Sequence, residues 1–434
     1  MKMSVIGCGH LGATHAACMA SLGHEVIGVD IDEGKVSLLN SGKGWFHEPD
    51  LDPMLAEGIV GGRLRFTTSF AEAAEFAAVH FLGVATPGHA DGSYDMSQLR
   101  AAVSSLVPHL RGDCLIIGKS TVTPGTAASL QALVDGMLQP GQGRVEVAWN
   151  PEFLREGCAV ADTLRPDRIV VGAVTEAAAE TVMEIYRPQT DAGIPLVLTD
   201  LPTSELAKGA ANAFLATKIS YINEIGLLAE KVGADITQVA KGIGLDARIG
   251  TRFLQAGIGW GGSCFGKDTS ALVATAREYN IGMPIVEAAR EVNRRQRERV
   301  VDKLLGELKI LKGRSIGLLG LAFKPNTDDL REAPAVDIAR KLIERGCKVK
   351  VHDPVAMNKF QLEYPDLAVI SCASPEEVAD DVDALVLVTE WQDYRELDWE
   401  VMAGRMRAPL VLDGRNALDR AALERIGFRY LSVA

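Results

Sequence analysis

The sequence predicts an α/β protein: two doubly wound α/β domains joined by a central helical domain with a long connecting helix. Three observations carry this. Short apolar strands alternate with helix-length stretches up to about residue 195, strands vanish between about 200 and 311, and the alternation returns from Ser315. The boundaries fall at 1–198, 199–311 and 312–434.

In the first domain the expected strands are Met3–Gly7, Glu25–Asp30, Val79–Val84, Cys114–Lys119 and Val145–Trp149. Apolar runs of this length, separated by helical stretches, imply βαβ units and a parallel sheet covered on both faces. In the middle, Thr203 or Ser204 after Pro202 offers an N-cap. Leu206, Ala210, Phe214, Thr217, Tyr221, Ile225 and Leu228 then recur at helical spacing, which predicts a long helix with a core face. A second helix is expected from Pro284 to about Leu311. The last domain shows strands at Ser315–Leu319, Lys348–His352, Leu367–Ser371, Ala384–Thr389 and Leu410–Leu412, and a helix over 333–345 closed by Gly346.

Composition narrows the function classes. The 434 residues carry 45 Lys and Arg against 57 Asp and Glu, a net charge of −12, with 47% apolar residues. That balance disfavours a duplex nucleic-acid binder, which gathers cations into a basic face. It leaves room for a small phosphorylated ligand. No apolar run approaches the roughly 20 residues of a membrane span, and the start has no apolar leader pattern, so a soluble cytoplasmic protein is expected with no membrane partner. Seven cysteines, at 8, 18, 114, 158, 264, 347 and 372, are scattered and show no C-x-x-C spacing. This argues against a disulfide framework and against a metal site.

Gly7-Cys8-Gly9-His10-Leu11-Gly12 is a G-x-G-x-x-G placed between a strand and a helix, and Asp30 ends the next strand. In that context the motif is a dinucleotide fingerprint. Gly7 permits the tight turn, Gly9 lets backbone approach a pyrophosphate, and Gly12 lets helix and strand pack closely. Asp30 suits ribose hydroxyls and repels a 2′-phosphate, so NAD is the expected cofactor. Thr86, at the end of a later strand in Gly83-Val84-Ala85-Thr86-Pro87, is placed to line the same crevice of a Rossmann-like sheet.

The stretch 257–268 packs five glycines into residues 257–266, then sets Lys267 and Asp268 just after Cys264. Such glycine density predicts main chain that closely approaches something. A helix beginning here puts Cys264 near its positive end and beside Lys267, both of which favour a thiolate. Asp268, four residues on, is a candidate base or orienting group. Composition alone leaves a flexible loop with an incidental cysteine equally open.

Together these segments resemble the nucleotide-sugar 6-dehydrogenase family, nearest to its UDP-glucose branch. The resemblance spans the chain through Ser120–Thr126, Asn150–Gly157, Lys208 with Asn212, the glycine-rich cysteine loop, Phe323–Glu332 and Asp413-Gly414-Arg415-Asn416. It implies an NAD-dependent four-electron oxidation of UDP-glucose to UDP-glucuronate, through a thiohemiacetal and thioester on Cys264. It further implies that Lys208 and Asn212, one helical turn apart, stabilise an oxyanion at C6. Glu156 and Asp268 are then the two candidates for the hydrolytic base, unranked, with Thr121 holding the water. Lys35, Thr121 and Lys267 join the cofactor set. Glu152, Phe153, Leu154, Lys208, Asn212, Gly261, Lys324, Arg331 and Arg248 form the substrate set, with Arg248 reaching across a subunit interface of a homodimer or larger homo-oligomer. The last domain, with Gly317-Leu318-Leu319-Gly320 in place of a full fingerprint, is expected to bind the substrate nucleotide.

Two departures from the family pattern stand out: His10-Leu11 where relatives carry an aromatic and a valine, and Glu48-Pro49-Asp50-Leu51 where they often show E-P-G-L. Other readings stay open at this point: a 6-dehydrogenase of GDP-mannose, a dTDP-sugar or UDP-N-acetylmannosamine, a β-hydroxyacid dehydrogenase, or an NAD-sensing protein without activity. A hydroxyacid enzyme needs neither Cys264 nor a second α/β domain.

Overall fold

The computed structural model describes residues 1–433. The chain forms two compact units: Met1–Ala211 with Ser270–Asn280, and Asn212–Thr269 with Ile281 onward. Each is built on its own sheet.

The first sheet has eight strands: β1 Lys2–Ile6, β2 Glu25–Val29, β3 Leu64–Thr67, β4 Val79–Leu82, β5 Cys114–Gly118, β6 Val145–Trp149, β7 Ile169–Gly172 and β8 Leu196–Thr199. Their order is β3-β2-β1-β4-β5-β6-β7-β8. All neighbours are parallel except β6 and β7, which meet antiparallel at Trp149 and Gly172. The order reverses between β1 and β4, so the carboxyl ends of these strands open the crevice in which such folds hold ligands. The central strands are buried on both faces, as continuous apolar runs predict. The strands beyond the five expected are short: β3 has four residues, and β8 is an edge strand half open to solvent.

The second sheet has six parallel strands: β9 Ser315–Leu319, β10 Lys348–His352, β11 Val369–Ser371, β12 Ala384–Leu387, β13 Leu410–Asp413 and β14 Arg429–Ser432. Its order, β11-β10-β9-β12-β13-β14, repeats the doubly wound plan. The protein therefore has two Rossmann-like sheets.

Six helices carry the rest of the argument: α1 His10–Ser21, α2 Ala159–Leu164, α3 Leu201–Val232, α4 Phe265–Glu278, α5 Pro284–Leu308 and α6 Pro334–Glu344. The 32-residue α3 is the long connecting helix. Its start corrects the expected cap. The helix begins at Leu201, and Asp200 accepts the Thr203 N–H at 2.7 Å, while Ser204 lies inside the helix and donates to the Leu201 carbonyl. The apolar stripe is also corrected. Leu206, Phe214, Tyr221 and Leu228 are exposed, and the buried side of α3 is instead mostly small and polar, with Ser204, Lys208, Asn212, Ala213, Ala216, Ser220 and Asn223, and Ile222 as its large apolar residue toward the end. Helix α5 stops at Leu308, short of Leu311, because Lys309 turns to φ 64. As expected, Gly346 follows α6 with φ 80.

Among the described residues no helix is long and apolar enough to cross a membrane, and no group of three or more His, Cys, Asp or Glu is placed to hold a metal.

Candidate active site

In the first unit the turn after β1 has the shape a dinucleotide requires. A Cβ built on Gly12 would sit 1.8 Å from the Gly7 carbonyl oxygen, so only glycine lets α1 close on β1. A Cβ on Gly9 would meet nothing within 4 Å, which leaves the cradle in front of the α1 N-terminus open. Asp30 accepts the Cys8 N–H at 2.9 Å and the Asp32 N–H at 3.0 Å, which aims its half-buried carboxylate at the turn. These residues fit an adenine dinucleotide. Lys35 lies 4.4 Å above the Trp45 ring, and the indole in turn donates to the Cys8 carbonyl at 3.1 Å. Thr86 donates to the Thr121 carbonyl at 2.8 Å, which joins the ends of β4 and β5.

Beyond β6 the chain turns through Asn150–Gly157. Glu152 lies 3.0 Å from the Lys208 ammonium and accepts the Leu154 N–H, and Lys208 sits 5.4 Å from the Phe153 ring. Lys208, the residue for which a solvated position is the ordinary case, is 3% exposed. A second buried cation escaped the sequence reading. Lys119 ends the apolar run of β5 and donates to Asn150 Oδ1 at 2.9 Å and to the Tyr186 hydroxyl at 3.3 Å. Burial pushes its ammonium down to about 8, against the pull of Glu152 and with the repulsion of Lys208. The available signal was a lysine closing a wholly apolar strand at its carboxyl end, where ligands bind. Glu156 lies in the same segment, half-buried.

In the second unit Cys264 caps α4. Its carbonyl accepts the Asp268 N–H at 2.8 Å, and its Sγ lies 3.4 Å from the Ser263 hydroxyl. One turn inside the helix, the buried Asp268 accepts from Asn212 Nδ2 at 2.6 Å and from the Lys267 ammonium at 2.8 Å. Cysteine, carboxylate, amide and ammonium thus form one cluster at a helix start.

The glycines of 257–266 serve packing within this unit. A Cβ on Gly261 would fall 2.3 Å from the Glu332 carbonyl oxygen, one on Gly262 2.7 Å from the Phe323 ring, and one on Gly266 2.0 Å from the Glu332 carboxylate. The loop lies directly on the 323–332 segment, and Gly262 donates to the Arg331 carbonyl at 2.9 Å. Arg415 pins both: it donates to Gly259 O at 3.0 Å and to Phe323 O at 3.1 Å, while Asn416 donates to Ala256 O. Asn293 holds Trp260 through its N–H and its carbonyl. Sequence reasoning placed Asp413–Asn416 in the family pattern without seeing that it clamps the cysteine loop.

The remaining cations are placed differently. Lys324 lies 5.4 Å from the Phe323 ring. Arg331 is paired in a fork with Asp329, at 2.8 Å from each nitrogen, and Arg248 is exposed and paired with Asp246 at 2.6 Å. All seven cysteines are free thiols.

Comparison with known proteins agrees with this division of labour. Residues 1–190 match the NAD binding domain of the UDP-glucose/GDP-mannose dehydrogenase family, residues 202–295 its central domain, and residues 317–420 its UDP binding domain. The chain is 42% identical to a UDP-glucose 6-dehydrogenase of Rhizobium meliloti, over 100% of this chain and 99% of the relative. It is 41% identical to one of Pseudomonas aeruginosa, over 100% and 97%. Among solved structures, a UDP-glucose dehydrogenase from Pyrobaculum islandicum superposes with a TM-score of 0.92 at 39% identity, covering 100% of this chain and 97% of that one.

Proposed function

Since the chain belongs to the UDP-glucose/GDP-mannose dehydrogenase family, we propose that it oxidises UDP-glucose to UDP-glucuronate at C6 with NAD, through a covalent Cys264 intermediate. The observation that carries this reading is the cluster at the start of α4, a cysteine with the buried Asn212–Asp268 pair and the half-buried Lys267 behind it. A two-electron alcohol dehydrogenase has no use for that thiol.

In this reading Gly7, Gly9, Gly12, Asp30, Lys35, Thr86, Thr121 and Lys267 serve NAD, which accepts one hydride in each of two oxidations. Lys208 and Asn212 hold O6 as its proton and the C6 hydride leave, giving the aldehyde. The Cys264 thiolate then adds to C6, and loss of a second hydride from the thiohemiacetal leaves a thioester. Water cleaves the C–S bond, releasing the carboxylate and the thiol. We assign the base for that step to Glu156, with Thr121 positioning the water. Both Asp268 oxygens already accept strong donors, which suits an orienting group.

Glu152, Phe153, Leu154, Gly261, Lys324, Arg331 and Arg248 are proposed to contact the sugar nucleotide. Arg331 then exchanges part of its Asp329 fork for phosphate oxygens. Segments 1–198, 199–311 and 312–434 act as the NAD-binding, central and nucleotide-sugar-binding parts. The exposed Phe214, Tyr221, Leu228 and Val232 on α3 support self-association through that helix, as a homodimer or larger homo-oligomer. Free thiols throughout support a reducing, cytoplasmic setting.

The test is stoichiometric. Incubation with UDP-glucose and excess NAD is expected to give two NADH per acid formed, and Cys264→Ser is expected to stop acid formation. One NADH per product, or an unimpaired Cys264→Ser enzyme, overturns the thioester route. Turnover of GDP-mannose or UDP-N-acetylmannosamine in place of UDP-glucose overturns the substrate.

A further inference from the structure

His10, one departure from the family pattern, meets Glu48, which stands two residues before the other departure, Asp50. Glu48 is fully buried at its side chain, yet it belongs to a loop between helices. Its Oε2 accepts the Gly157 N–H and its Oε1 accepts the Ala159 N–H, both at 2.7 Å. The carboxylate therefore caps α2 across more than a hundred residues of sequence. The same Oε2 lies 3.1 Å from His10 Nε2, a close polar contact not aligned as a hydrogen bond. His10 is the first residue of α1, inside the dinucleotide turn.

The contact is held from the Glu48 side. The His10 ring lies against Phe46, with centroids 4.2 Å apart, and Trp45 donates to the Cys8 carbonyl. Asp50 keeps the loop's next turn with φ 65, a left-handed conformation that aspartate tolerates better than most residues where relatives often place glycine. Loop 45–50 is thus fastened to the cofactor turn by three contacts and to the 157–159 segment by two. Gly157 follows directly from Glu152–Glu156, the proposed substrate and water-activating residues, and Ala159 lies two residues further on.

We propose that Glu48 is a positioning residue that couples the dinucleotide turn to the 152–159 segment, with His10 as its sensor of the cofactor pyrophosphate. A pyrophosphate in the open cradle before α1 would lie beside the His10 ring, and a ring held between that phosphate and Phe46 is held against Glu48 Oε2. The buried carboxylate is then fixed more firmly, and with it the two amides it accepts. Cofactor binding in this way orders the segment that meets the second substrate. An aromatic hydrocarbon ring at position 10 could pack on Phe46 but could not pair with Glu48.

The inference rests on the dinucleotide reading of the turn and not on the sugar nucleotide, so NAD alone tests it. Amide hydrogen exchange over residues 153–160 is measured on the full chain with and without saturating NAD, alongside the Kd for NAD. The expected result is that NAD slows exchange at Gly157 and Ala159 in the native protein, and that this slowing falls about fivefold or more in His10→Phe and in Glu48→Gln. His10→Phe leaves both Glu48–amide bonds in place, so it keeps the test open if Glu48→Gln fails to fold. Exchange at 157 and 159 that ignores NAD in the native protein overturns the proposal. So does NAD-dependent slowing that persists undiminished in His10→Phe, since Glu48 would then be a static cap.

Discussion

The two sheets of this chain put an aspartate at the same place and give it different work. In the first, Asp30 follows β2 and accepts two N–H groups, Cys8 in the turn and Asp32, leaving its half-buried carboxylate with capacity to spare. In the second, Asp353 follows β10 and is 2% exposed, its oxygens taken by the N–H groups of Leu321, Ala322, Val355 and Ala356 and by the Trp391 indole. The turns differ in parallel. After β1 a helix starts within a few residues, and its free N–H groups face the cradle. After β9 the next helix begins only at Pro334. Doubly wound topology alone therefore does not make a dinucleotide site. The site needs a helix start at the turn and an acid left partly unsatisfied.

The largest effect should come from closing the turns themselves. Gly12→Ala drives a methyl into the Gly7 carbonyl oxygen and pushes α1 off β1, and is expected to weaken NAD binding by at least about a hundredfold. Gly320→Ala, at φ 101 with its Cβ 2.4 Å from that of Thr389, is expected to lower thermal stability while the NAD Kd measured by calorimetry stays unchanged. A loss of NAD affinity in Gly320→Ala would end the distinction between the two turns.

The aspartates give the next largest contrast. Asp353→Ala strands four backbone amides and an indole, at a cost of at least about 3 kcal/mol, and is expected to lower the denaturant midpoint sharply. Asp30→Ala is expected to spare stability, weaken NAD about tenfold and narrow the preference over NADP. Equal destabilisation by the two substitutions would mean that both acids are structural.

What the sequence revealed follows from the range of the forces involved. The G-x-G-x-x-G turn, Asp30, the cysteine loop and both α/β regions were legible because each rests on local pattern: strand period, glycine spacing, and an acid at strand end. The exposed face of α3 was not, because Leu206, Phe214, Tyr221 and Leu228 have the spacing of a core stripe, and periodicity does not say what covers it. Lys119 was missed because a lone cation after an apolar run has no partner nearby in sequence; Asn150 and Tyr186 are 31 and 67 residues away. Glu48 is the same case at a greater distance. The glycine loop was read correctly as close approach, but what it approaches, Phe323, Glu332 and Arg415, is set by tertiary packing alone.

The smallest expected effect concerns titration within the sheets. His80 on β4 is buried, its Nδ1 2.7 Å from the Ser4 hydroxyl, and burial holds its pKa down to about 4 from 6.5. His15 on α1 is lowered for the same reason. The unfolded chain binds protons at these rings below pH 6.5 while the folded chain does not, so stability falls as pH drops from 6.5 toward 4. In the second sheet Asp413 has the opposite sign: burial raises its pKa above 3.8, so the folded chain gains a proton first and stability rises as pH falls from its raised folded value toward 3.8. His80→Gln should therefore lose stability at pH 7 through its packing, yet show a drop between pH 7 and pH 5 smaller than that of the native chain by on the order of 1–2 kcal/mol. Denaturant midpoints at the two pH values measure this. An identical drop in both proteins would mean that His80 already carries its proton in the folded sheet, and that the acid sensitivity of the first sheet has another source.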